Sequence, residues 1–222
     1  MGFELFNYPH PAVFGKILPK SKIYEFAKPS NAVKELFVKQ VEQITWEYKL
    51  SPETINIPPG DGVQEIQIFE IRSKVSAIDE EVFRTIDESV PSHVFYEVML
   101  GDNIKLVAAH KRQSEADATK WVTGTYFESE WVPSSKSRVN LPIALRMGGL
   151  YSHMLRTLIP GTPKVGESLR EQAERFGLLR IKSMELEKLN IKLMQEKQFN
   201  RKVEINRKIR LLKDELVDLG PL

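Results

Sequence analysis

From Glu167 to Leu219 the chain carries no proline and one glycine, Gly177. A run of about fifty residues with so few breakers reads as helix, because nothing in it interrupts the i to i−4 ladder. Near its end Ile205, Ile209, Leu212, Leu216 and Leu219 recur four and three residues apart, the seam spacing of a coiled coil. Carried backward, that register runs through Lys202, Gln198, Gln195, Ile191, Lys188, Met184 and Ile181. The seam is therefore apolar at both ends and polar in the middle. Phe199 and Val203, four apart, make a second short face. Two solutions satisfy the pattern: a helical hairpin that folds back near 195–201, or a straight arm that passes different faces to different neighbours. Either way the leucines and isoleucines are expected to meet a partner. That partner is a protein subunit or a second copy of this chain, gripped by the five seam residues with Phe199 and Val203 as a second contact.

The same arm is basic. From Arg180 to Lys213 there are eleven Lys or Arg and four Glu, although the whole chain carries a net charge of only +2. Arg201, Lys202, Arg207, Lys208 and Arg210 are the densest part, and cations so placed can contact phosphates. Phe199 is the only aromatic close to them, so the stacking surface of a single-strand binder is missing.

The preceding residues read as an α+β body: a mixed, mostly antiparallel sheet with flanking helices. The expected division is an irregular N-terminal arm over 1–20, punctuated by Pro9, Pro11 and Pro19, a globular domain over 21–163, and the helical arm over 164–222. A helix starts near Asn31, with Val33, Phe37, Val41, Ile44 and Tyr48 as its apolar row. Val63 to Ile71 is a strand with apolar groups on both faces, Asp79 caps a helix buried through Val82, Phe83 and Ile86, and 93–100 and 104–109 form a hairpin about Gly101-Asp102-Asn103. Trp121 to Trp131 is a further strand. Leu141 opens an apolar helix that runs to about Ile159, and Pro160-Gly161-Thr162-Pro163 is a linker.

Chemistry is sparse. There is no cysteine, which excludes disulfides, thiol nucleophiles and thiolate metal sites, and fits a reducing, cytoplasmic compartment. No run of apolar residues is long enough to span a bilayer. The four histidines, His10, His93, His110 and His153, show no ligand spacing, and no phosphate-binding glycine loop or nucleophile elbow occurs. No cofactor or metal is expected. The one enzymatic alternative is a metal-dependent, restriction-like nuclease, in which Glu70 and Asp61 would hold Mg²⁺ and Lys74 would steady the attacking water.

Seven segments carry a family likeness: Leu18 to Tyr24, Lys34 to Val38, Ile44 to Thr54, Lys105 to Ala109, Glu128 to Trp131, Leu141 to Leu145 and Lys197 to Glu204. Through them the chain resembles an uncharacterised bacterial and archaeal domain-of-unknown-function family (family 4391). What the resemblance implies is gene company. Such proteins are often encoded beside DNA methyltransferases and helicase-type subunits of restriction-like, anti-phage defence loci. The family brings no established catalytic residues. Where members tend to carry Tyr before Lys-Arg, this chain has His110. The expected function is accordingly an accessory, non-catalytic subunit that docks a methyltransferase or helicase through the C-terminal arm. A nucleic-acid-binding protein using the basic arm is the remaining alternative.

Overall fold

In the computed structural model, which describes residues 3–117 and 119–220, the chain divides into units covering 1–158 and 159–222. The ends of the two terminal ranges, 1–2 and 221–222, lie outside the described residues. The first unit opens with a short strand, Phe6–Asn7 (β1), a 3-10 turn at His10–Ala12 and the strand Val13–Ile17 (β2). The segment expected to be irregular thus supplies an edge strand, because Val13, Lys16 and Ile17 find ladder partners in Tyr48, Trp46 and Thr45. Two helices follow, Lys20–Ala27 (α1) and Asn31–Gln40 (α2). The hydroxyl of Ser30, one residue before the expected cap, accepts the Val33 N–H.

The long helical row from Val33 to Tyr48 is cut in two. Val33 and Phe37 remain on α2, but Val41–Leu50 is a strand (β3). Its β-branched and aromatic residues pair on one side with β2 and on the other with Ile66–Ser73 (β4), so two ladders satisfy a backbone that a helix would satisfy alone. Between them lies the one-turn helix Pro52–Ile55 (α3), capped by Ser51 and Thr54. After β4 come Glu80–Ser89 (α4), His93–Leu100 (β5), Asn103–Gln113 (β6), Trp121–Glu128 (β7), Val132–Pro133 (β8) and Val139–Asn140 (β9). The main sheet runs β2-β3-β4-β5-β6-β7, with β8 also on β6. Every neighbouring pair is antiparallel except β4 and β5, which α4 joins as a parallel crossover. A separate two-stranded parallel ribbon pairs β1 with β9. The fold is α+β, as the pattern indicates.

One core cluster gathers Ile23, Phe37, Ile44, Phe69, Ile71, Val82, Phe83, Ile86 and Tyr96, drawn from α1, α2, α4 and the sheet. Each such side chain contributes about 1.5–3 kcal/mol by leaving water. The helix expected from Leu141 begins later, at Met147, and runs to Arg156 (α5). Its start is fixed by packing. The Met147 N–H donates to the Pro58 carbonyl, and a Cβ on Gly148 would stand 2.4 Å from the Asp61 Cβ. Ile143 and Leu145, ahead of it, are exposed.

The second unit contains Leu169–Gln195 (α6) and Phe199–Leu219 (α7). Among the described residues no helix is long and apolar enough to cross a membrane.

Candidate functional site

Of the two arrangements open to the C-terminal sequence, the hairpin forms. Helix α6 starts at a capping box in which the Ser168 hydroxyl accepts the Glu171 N–H and the Glu171 carboxylate accepts the Ser168 N–H. Just ahead of it, Arg175 donates to both oxygens of Glu167, at 2.6 and 2.8 Å. Those bonds hold the Glu167 carboxyl at about 2, well below the usual glutamate range. The break falls at 196–198, without glycine or proline. There the Glu196 carboxylate accepts the N–H groups of Lys197 and Gln198, substituting for the ladder bonds that a continuing helix would offer. Helix α7 then returns along α6, and Lys182 pairs with Glu215, thirty-three residues away, at 2.7 Å.

This return closes the seam within the chain. Ile205, Ile209 and Leu212 are buried, and Leu216 and Leu219 are half-buried. On α6 the less exposed row is Phe176 and Leu179, both buried, then Ser183, Leu186, Asn190 and Leu193, all half-buried, at alternating three- and four-residue steps. That row is out of phase with the register carried backward from Ile205. Three non-helical residues reset the helical phase, so Ile181, Met184 and Ile191 face away from the seam and are exposed by 59%, 49% and 49%. Beside the turn Met194, Phe199 and Val203 are exposed as well. Arg201, Lys202, Arg207, Lys208 and Arg210 all lie in water. Among the described residues Lys202, Arg207, Lys208 and Arg210 form no ion pair. The hairpin therefore exposes an apolar set on α6 and at the turn, and a basic row on α7.

In the first unit the structure leaves Asp61, Glu70 and Lys74 apart. Glu70 accepts from Arg72 at 3.2 Å, and Lys74 donates to the Val38 carbonyl at 2.9 Å. Asp61 holds a left-handed turn with φ 55° against Gly148. No group of three or more His, Cys, Asp or Glu able to hold a metal occurs among the described residues.

A polar cluster that the pattern did not single out lies in the core between α4 and the sheet. Lys111 donates to Asp87 Oδ1 and to the carbonyls of Asp87 and Val90, and the Tyr126 hydroxyl donates to Asp87 Oδ2. Burial pushes the Asp87 carboxyl up and the Lys111 ammonium down. His93 packs edge-on against Trp121 and Tyr151, with ring centroids 5.2 and 4.4 Å away. Burial, with Lys111 nearby, pushes it down to about 3, so it is neutral. Both halves of the charge pair were legible in the spacing. Asp87 follows Phe83 by four on the buried stripe of α4, and Lys111 continues the alternation of Val107 and Ala109 on β6. The strand runs on to Gln113 instead of ending at Ala109, and that extension carries Lys111 into the core. On the other side of the sheet, Arg138 grips Glu97 with two bonds of 2.7 and 2.8 Å and donates to the Phe6 carbonyl, tying the β1–β9 ribbon down.

A family model described as a domain of unknown function, DUF4391, matches residues 6–216. No curated protein and no solved structure matches the chain.

Proposed function

The chain belongs to the DUF4391 family, and from that membership and the outer surface of its hairpin we propose that it is a non-catalytic accessory subunit of a DNA modification or restriction-type defence complex. It docks a methyltransferase or helicase subunit through its C-terminal helices. The observation that carries this reading is the exposed apolar set: Met194 is 85% exposed, Phe199 78%, Ile181 59% and Val203 53%. Single apolar side chains in water are ordinary. Here they recur along α6 and around one turn, in a hairpin that also exposes cations without ion-pair partners. The matching surface is a protein groove or helix with an apolar strip edged by carboxylates, whereas a phosphate backbone would leave the apolar set wet. The contact moves from the seam residues Ile205, Ile209 and Leu212, which are covered, to Phe199, Val203 and the outer row of α6.

The test is co-expression with candidate methyltransferase and helicase subunits of such a complex, followed by affinity capture. Ile191→Asp/Phe199→Asp changes only exposed positions and is expected to lower recovery of the partner at least tenfold; undiminished recovery overturns the reading. The exposed basic row favours a second reading, nucleic-acid binding through Arg201, Lys202, Arg207, Lys208 and Arg210. Its mark is duplex binding that falls steeply between low and moderate salt and is lost in Arg207→Glu/Lys208→Glu.

A further inference from the structure

Helix α6 is apolar on two opposite sides. Its less exposed row runs through Leu179 and Leu186, and α7 packs against the helix within the chain. Two residues beyond each of these, about 200° around the axis, lies a position of a second row. That row, Ile181, Met184, Lys188, Ile191 and Gln195, keeps the three- and four-residue steps of a coiled-coil seam, and all five residues are exposed. One apolar side is enough to hold the hairpin, so the second has no use inside the chain.

The charges that flank the outer row indicate what covers it. Arg180 and Glu187 stand just before the seam positions Ile181 and Lys188, and Glu185 and Lys192 stand just after Met184 and Ile191. All four are exposed. In a parallel, in-register pair of helices, a residue on the first flank faces the one five positions further along on the second flank of its neighbour. Arg180 then faces Glu185 of the second copy, and Glu187 faces Lys192 of the second copy, each pair formed twice by symmetry. An antiparallel pair would set Glu185 against Glu185 and Glu187 against Glu187. Lys188 is the one cation within the seam, and a single polar residue there fixes register at some loss of stability.

We propose that this outer row pairs with its counterpart on a second copy of the chain, as a short parallel coiled coil about a two-fold axis. The seam from Ile181 to Gln195 is about 21 Å long. Such a contact is small and therefore weak: the dilute chain is monomeric with the row open, and the concentrated chain pairs. The pairing needs only α6. Its consequence rests on the docking proposed above, because the second copy covers the α6 row that a partner subunit takes, and the subunit must displace it.

The chain has no cysteine, so one introduced thiol reports the geometry. The purified full chain is expected to pass from monomer to dimer in sedimentation as its concentration rises from about 1 to 300 μM. Ile181→Cys, oxidised at the upper end, is expected to link to itself, because parallel register places both thiols in one layer. Glu187→Lys and Lys192→Glu are each expected to weaken pairing about fivefold, and an equal mixture of the two to restore it. A parent that stays monomeric throughout, linkage that forms only in a mixture of Ile181→Cys and Ile191→Cys, or a charge-swapped mixture that stays apart would each overturn the pairing. These measurements use the chain alone, so they stand or fall separately from the docking reading. The linked dimer is expected to capture a methyltransferase or helicase subunit about fivefold less than the reduced Ile181→Cys chain; equal capture would overturn the covering of the docking row.

Discussion

Lys111 Nζ stands 3.0 Å from Asp87 Oδ1, and the two side chains are only 2% and 4% exposed. Two carbonyls complete the ammonium's shell and the Tyr126 hydroxyl occupies the other carboxylate oxygen. The pair is stable because each charge answers the other; neither would survive alone in the core. Asp87→Ala is therefore expected to destabilise the first unit by about 3–5 kcal/mol, and Asp87→Ala/Lys111→Met to recover most of that loss. All three tryptophans, Trp46, Trp121 and Trp131, lie in the first unit, so urea unfolding followed by tryptophan fluorescence reads that unit by itself. A loss under about 1 kcal/mol in the single variant would mean that the ammonium finds water, and that the pair is not sealed.

His93 gives the same unit a pH dependence. Its folded value is lowered from 6.5 to about 3, first by burial and then by Lys111. The unfolded chain takes up the proton below about 6.5 and the folded chain does not, so the contribution is present above that pH and is lost as pH falls toward 3. Within the window the slope is about 1.4 kcal/mol per pH unit. His93→Phe keeps a ring against Trp121 and Tyr151 and carries no proton. Fluorescence-monitored unfolding from pH 7 to pH 4 should show that part of the slope in the parent and its absence in the variant.

Glu167 acts on the second unit in the same direction and at lower pH. Arg175 holds its carboxyl at about 2 against an ordinary 4.5. The depressed value means that the stabilisation is complete above 4.5 and disappears as pH falls through 2. The helical signal of the hairpin should melt at progressively lower temperature across that interval. Glu167→Gln should start from a lower midpoint at neutral pH and lose less across the interval. Parallel pH profiles for the two chains would remove Arg175–Glu167 from the account.

How much of this was legible depends on whether a signal is local. The helix buried through Val82, Phe83 and Ile86 and the hairpin about Gly101 are set by caps and turn residues within a few positions, and both formed as the pattern indicates. The row from Val33 to Tyr48 misled because Val41, Ile44 and Tyr48 keep a helical spacing by coincidence, while the ladders that make them strand come from β2 and β4. The turn at 196–198 was legible only as one of two alternatives, for a different reason. No residue in it forbids helix, and only the polar stretch of the seam hinted that the chain would double back. Lys111 was missed because the strand was expected to end at Ala109, although it continues the inward alternation of Val107 and Ala109 along a strand that runs to Gln113.

The hairpin's phase yields the sharpest separation between two helical arrangements of one sequence. In a straight arm with a single register, Ile181, Ile191 and Ile209 would be equivalent seam positions. In the hairpin they are not: Ile209 is 5% exposed, while Ile181 and Ile191 are 59% and 49% exposed. Removing a buried isoleucine side chain costs about 2–5 kcal/mol, from lost burial and the cavity left behind. A change at an exposed helix position costs less than about 0.5 kcal/mol. Ile209→Ala is therefore expected to lower the melting midpoint of the helical signal strongly, and Ile181→Ala and Ile191→Ala to leave it nearly unchanged. The comparison is internal, because all three substitutions remove the same atoms from the same residue type at helix-interior positions. Equal losses at the three sites would restore the single register and reopen the seam to an external partner. The expected ordering keeps Ile205, Ile209 and Leu212 inside the chain and leaves Phe199, Val203 and the outer row of α6 as the surface that another subunit can reach.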